Sequence, residues 1–339
     1  MLSDKLKADL KREFSENFLP KLGLALLIFV MFVSLFAPIL ATHDPTTTGS
    51  VHPDGVGYTE DGDSYPPPGL SYNVTFFEEG ELEQRTVTGA SEHYLGTNDI
   101  GQDIYSRFLY GARTSFLVGI TGVLLALLSG VPYGLISGYY GGRIDDTLMR
   151  QADIMLAFPG LVLAIALIGV FGDNAIHVPD PFVAVGLAEG MPRTFVLPGS
   201  VTIVAGLVTW VWFARVARGE AMSIRNEEYV KAARALGASD RTILLKHILP
   251  NSVTPLIVLA TVQVAFLILL ESSLSYLGFS GTTLSWGFDI ARGEGNLRNQ
   301  WWIATIPGLG IVIAVVAVNL LGDWFRDALD PNISGERGG

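Results

Sequence analysis

Cysteine is absent from the 339 residues, which excludes disulfides, thiol catalysis and cysteine-held zinc or iron–sulfur centres in any compartment. No Gly-Lys dipeptide occurs, so the phosphate-cradling loop Gly-x-x-x-x-Gly-Lys-Ser/Thr is missing and the chain carries no ATP site. His-Glu-x-x-His and Gly-x-Ser-x-Gly are missing too, which removes common metalloprotease and serine-hydrolase signatures. His43, His52 and His93 are irregularly spaced, and no metal site is expected from them. Charge is scarce at 16% of the chain, with six Lys against sixteen Arg. What is abundant is apolar: 49% of residues are hydrophobic, gathered in long blocks rather than core-facing stripes.

Six blocks are long enough to cross a hydrocarbon layer of about 30 Å as helices: Gly23–Leu40, Thr114–Gly138, Ala152–Phe171, Phe195–Ala214, Ser252–Leu277 and Ile303–Leu321. They lack the alternation of barrel strands, so the expected fold is an all-α polytopic membrane protein. Lys and Arg set its orientation. With the N-terminus inside, Lys5, Lys7, Lys11, Arg12, Lys21, Arg143, Arg150, the cluster from Arg215 to Lys246, Arg326 and Arg337 all fall on the cytoplasmic side, and both termini are cytoplasmic. Thr42–Glu92 then forms an acidic extracellular loop, in which Val74–Phe77 and Gln84–Thr88 suggest a hairpin turning at Glu79-Gly80. The chain divides into a cytoplasmic segment 1–22, a first transmembrane helix 23–40, an extracellular loop 41–113, a five-helix core 114–321 and a cytoplasmic tail 322–339.

Few ionisable residues lie inside these blocks. Glu271, in Leu269-Leu270-Glu271-Ser272-Ser273, is the one acid well within a span, and is either a translocation-path residue or a hydrogen-bonded packing residue. A single interior carboxylate is a thin basis for ion coupling, so the energy for transport is expected from another subunit. Gly130, Gly134 and Gly138 put three small residues on one helix face, suited to close helix packing.

The connection 215–251 is the longest on the inner side. Glu227–Ala238 has an Ala-rich helical composition ended by Gly237, and Asp240 is placed to cap a second short helix before Pro250. Read alone, this loop either packs on its own bundle or docks a partner.

Ala232, Ala233, Gly237, Leu249 and Pro250 match in spacing the pattern Glu-Ala-Ala-x-x-x-Gly-x(9)-Ile-x-Leu-Pro, with Lys231 in place of the Glu and His247 in place of the Ile. The loop thus resembles the coupling loop of ABC importer membrane subunits. Tyr94–Arg107 and Tyr110–Ser115 are similar to the Leu-Gly-Thr-Asp-x-x-Gly-Arg-Asp…Ser-Arg…Tyr-Gly-Ala-Arg-x-Ser segment of the second permease subunit of dipeptide/oligopeptide (peptide/nickel-type) importers, with Asn98 and Gln102 departing from it. Collinear matches run on through Ser275–Phe279, Ser285-Trp286-Gly287 and Asn319–Pro331. The resemblance implies the type I ABC importer permease fold in the plasma membrane, and a pore subunit rather than an enzyme. It implies a homologous second permease subunit, two ATP-binding subunits holding ATP and Mg, and an extracellular substrate-binding protein, with no nucleic acid and no cofactor or metal in this chain. It places ATPase docking on Tyr229, Ala232, Ala233, Leu236, Gly237 and Ala238. It makes Gly96, Thr97, Asp99, Gly101, Asp103 and Arg107 an extracellular interfacial motif. The implied cargo is di- or oligopeptides; the alternatives are nickel chelates or other small solutes, or an ion-coupled secondary transporter.

Overall fold

The computed structural model describes residues 14–48, 64–78, 81–172 and 174–329. The expected charges Lys5, Lys7, Lys11, Arg12 and Arg337, the turn at residues 79 and 80, His52, and much of the acidic loop lie outside these residues. Nine helices of eight residues or more carry the described chain: α1 (Phe18–Leu40), α2 (Ile104–Tyr140), α3 (Gly142–Leu156), α4 (Gly160–Phe171), α5 (Gly199–Ile224), α6 (Glu228–Ala235), α7 (Leu249–Tyr276), α8 (Trp286–Gly293) and α9 (Trp302–Leu329). Two antiparallel hairpins decorate them: β1 (Ser71–Glu78) with β2 (Glu81–Thr88), and β3 (Ala175–Pro179) with β4 (Thr194–Pro198).

Five helical stretches, Phe18–Leu40, Ile104–Tyr140, Gly199–Ile224, Asp240–Tyr276 and Trp302–Ala328, are long and apolar enough to span a bilayer. The expected third span is a broken pair: α3 and α4 meet at a 92° bend, and counting them as one crossing gives six. The break falls at Ala157-Phe158-Pro159, where the proline ends the preceding helix by denying it an N–H donor. α2 starts ten residues before its apolar block because Asp103 caps it, its carboxylate accepting the Ser106 N–H at 2.7 Å.

α2 and α5 form the centre of the bundle, and the glycine stripe is the reason they lie so close. A Cβ on Gly130, Gly134 or Gly138 would overlap the carbonyl oxygens of Trp210, Ala214 and Arg218, which recur every four residues on α5. A buried core of Val118, Val204, Phe213, Ala217, Leu267 and Leu274 fills the space among α2, α5 and α7.

The second loop helix expected before Pro250 does not stop there. A single turn, Asp240–Ile243, runs through a π-turn, Leu244–Ile248, directly into α7. The widened turn accommodates a proline that lacks an N–H and would crowd the carbonyl one turn back. Its cap is also one residue earlier than expected: Ser239 accepts the Thr242 N–H, and Asp240 is engaged elsewhere.

Candidate functional site

The two ends of α2 mark the two ends of the bundle. At its C-terminal end, the Arg225 guanidinium donates to the Gly138 carbonyl at 2.8 Å and to Tyr139 at 3.2 Å. Tyr139 Oη donates to Asp240 at 2.6 Å, and the Arg234 guanidinium lies 5.4 Å from the Tyr139 ring. These contacts clamp both flanks of α6 to the end of α2. Val230 and Ile243, fully buried, fix the inner side of the loop.

The outer side of α6 is held far less tightly. Its last turn closes as a Schellman motif: the Gly237 N–H reaches the Arg234 carbonyl at 3.0 Å and the Ala238 N–H reaches Ala233 at 3.0 Å. Gly237 has φ +83°, a conformation that L side chains rarely adopt, and a Cβ there would meet no atom within 4 Å. The turn presents Leu236 at 88% exposure, with Tyr229, at 45%, and Ala232 also exposed. Ala233, on α6, and Ala238, just beyond it, are both half-buried. The Tyr229 hydroxyl is held above its ordinary pKa by partial burial and the neighbouring Glu227, so it stays neutral. The turn thus carries an unsheltered leucine at the tip of a short, Ala-rich helix.

The opposite end holds the Tyr94–Arg107 motif. Gly96, Thr97, Gly101, Asp103 and Arg107 are all buried, and of the six predicted interfacial residues Asp99 alone is partly exposed. Gly96, at φ +77°, would overlap the Tyr65 carbonyl with any Cβ, and Thr97 exchanges hydrogen bonds with Tyr65 at 2.9 Å. Asn98 and Gln102, the departures from the family pattern, join each other: Asn98 Nδ2 donates to Gln102 Oε1 at 2.9 Å. That oxygen also accepts from Arg107 at 2.8 Å, so an amide pair replaces an acid and a base without breaking the turn.

Arg107 is the hub. Its Nε donates to Asp289 on α8 at 2.7 Å, and its remaining nitrogens reach the carbonyls of Pro45 and Thr283. Burial pushes the Asp289 carboxyl above the ordinary carboxylate range, with the Arg107 guanidinium pulling against it. A pair so desolvated fixes position more than it adds net stability. Beside it, Arg292 holds Asp99 in a bidentate pair at 2.9 Å.

Glu271 lies in α7 at this end, 1% exposed. Its carboxyl oxygens accept from Ser115 of α2 at 2.6 Å, Ser275 at 2.7 Å and Ser285 at 2.8 Å, with Ser272 at 3.4 Å. Ser285 in turn caps α8 by accepting the Gly287 N–H. Glu271 is thus hydrogen-bonded within its own chain, to serines of α2, α7 and the start of α8.

Sequence reasoning missed two things here. Arg113 forms a buried ion pair with Asp180 and lies 3.9 Å over the Phe195 ring, joining α2 to the β3–β4 segment. His43 and His93 also converge on Asp103, which no spacing in the sequence foreshadows.

These features define a multi-pass membrane component with an exposed glycine turn at one end and a tied motif at the other. Residues 130–335 match the family described as binding-protein-dependent transport system inner membrane component, and the chain belongs to that family. It is a transport-system permease subunit and not an enzyme. The chain is 32% identical to the di/tripeptide transport system permease protein DppC of Pseudomonas aeruginosa over 313 residues, 92% of this chain and 87% of that one. It is likewise 32% identical to the oligopeptide transport system permease protein OppC of Bacillus subtilis over 327 residues, 96% and 89% of the two chains. Among solved structures, the inward-facing MetNI methionine ABC transporter superposes with a TM-score of 0.50 at 16% identity. It covers 66% of this chain and 97% of that one, a likeness of fold.

Proposed function

We propose that this permease subunit forms half of the translocation pore of an ATP-driven importer of di- or oligopeptides in the plasma membrane. The observation that carries the coupling role is the Gly237 turn, which projects Leu236 at 88% exposure from a loop clamped on its other side. In this reading the α6 end faces the cytoplasm together with both termini, and the motif end faces outward. Tyr229, Ala232, Ala233, Leu236, Gly237 and Ala238 enter a cleft of one of two ATP-binding subunits, which hold the ATP and Mg. A homologous permease completes the pore, and an external binding protein delivers cargo. Peptide cargo is supported by relatives named for peptide transport. Closure of the ATPase pair favours one of two helix arrangements through differential contact with the loop.

The test is uptake of labelled di- and oligopeptides by proteoliposomes containing the co-purified subunits. Leu236→Asp is expected to abolish ATP-dependent uptake while leaving the subunit folded, because the side chain contacts little of its own chain. Uptake driven by an ion gradient and indifferent to ATP would overturn the reading.

A further inference from the structure

Three segments separated in the chain bring His43, His93 and Asp103 together at the motif end of the bundle, away from the α6 loop. His93 is buried, 3% exposed, with Nδ1 2.9 Å from Asp103 Oδ1. His43, whose side chain is 36% exposed, places Nδ1 3.9 Å from the same oxygen. The two imidazole rings lie 4.7 Å apart between centroids, and one ligand atom from each of the three residues falls within 4.8 Å of the others.

The surroundings hold the set in place. Asp103 Oδ2 accepts the Ser106 N–H at 2.7 Å, which orients the carboxylate and leaves Oδ1 turned toward both imidazoles. The His43 backbone N–H donates to Ser106 Oγ at 3.1 Å, tying the segment after α1 to the first turn of α2. Thr42 Oγ1, 3.0 Å from His43 Nδ1, supplies a further oxygen at the mouth.

We propose that His43, His93 and Asp103 bind a divalent transition-metal ion, with Zn2+ the best match. Two imidazoles and a carboxylate are a zinc-type ligand set, with solvent taking the remaining position beside the half-exposed His43. Zinc bonds of about 2.0–2.2 Å in tetrahedral geometry set ligand atoms roughly 3.3–3.5 Å apart. The separations from Asp103 of 2.9 and 3.9 Å lie on either side of that value and the set as a whole spans up to 4.8 Å, so the half-exposed His43 side chain swings inward to close it on an ion. Orientation of the carboxylate through its second oxygen is the kind of outer support that metal ligands use. The bound ion staples the segment after α1 to the capping residue of α2, and so braces this end of the molecule.

The test uses the full-length, tag-free chain, stripped with chelator and titrated with Co2+ while its visible absorption is followed. The expected result is one equivalent bound, with the intense bands of a four-coordinate ion, displacement by Zn2+ and a melting temperature raised by Zn2+. His43→Gln is expected to weaken binding at least tenfold and to remove the Zn2+-dependent rise. His93 is buried and its replacement risks the fold, so His43, at the mouth, decides the matter. His247→Gln, on the α6 loop, is expected to bind as wild type. Absence of saturable Co2+ binding in the folded chain, binding unchanged in His43→Gln, or an equal loss in His247→Gln would each overturn the proposal.

Discussion

At Gly130, Gly134 and Gly138 the absence of a side chain is itself the contact, because carbonyl oxygens of α5 occupy the space where Cβ atoms would stand. Replacing Gly134 with Leu is expected to force α2 and α5 apart and cost about 1–3 kcal/mol or more. Gly308, within α9, faces open space: a Cβ there would meet no atom within 4 Å, and Gly308→Ala is expected to be neutral or stabilising by up to about 1 kcal/mol. Thermal unfolding of the purified chain in detergent measures both, and similar losses at the two positions would contradict the packing account. The stripe itself was legible in the sequence from its four-residue spacing. Its partners were not, since backbone carbonyls leave no signature in residue type. The same limit hid the Asn98–Gln102 pair, which reads as two departures in the sequence and as one compensated turn in the structure.

Elements whose ends depend on apolar runs were legible; those set by local polar chemistry were not. α1, α5, α7 and α9 overlap the expected spans, and β1 pairs with β2 across the expected Val74–Phe77 and Gln84–Thr88 segments. The first ten residues of α2 contain Arg107, Tyr110 and Arg113, which a hydropathy reading discards although the Asp103 cap and buried partners make them helical. β3 and β4 went unread because they are short and follow no clear alternation. Among elements, Glu271 joins α2, α7 and the start of α8. A buried hydrogen bond is worth about 0.5–1.5 kcal/mol net. A double-mutant cycle between Ser115→Ala and Glu271→Leu, which removes the acceptor, is therefore expected to show coupling of that order. Unfolding free energies of the four proteins supply the measurement, and additive effects would contradict a direct bond.

For the molecule as a whole, the tied end depends on Arg107, which gathers the segment after α1, the motif, the strap at Thr283 and α8. Arg107→Ala leaves Asp289 buried and unpaired, and is expected to cost about 3–5 kcal/mol. Asp99→Asn disturbs a pair with side chains 31% and 27% exposed, and is expected to cost no more than about 1 kcal/mol. Comparison of the two unfolding midpoints checks the ranking. At the other end, the continuity of Asp240–Tyr276 through the π-turn has a mechanical meaning. At about 1.5 Å per residue, this helix is a rod of roughly 55 Å. The Gly237 turn hangs from one tip and the Glu271 knot pins the rod near the other, like a lever with its pivot at the far end. A tilt of only about 10° about that pivot would sweep the Asp240 tip through roughly 8 Å over the 31 helical steps from Asp240 to Glu271. Pro250, which ought to have cut the rod in two, instead sits just beyond the widened turn that keeps it whole.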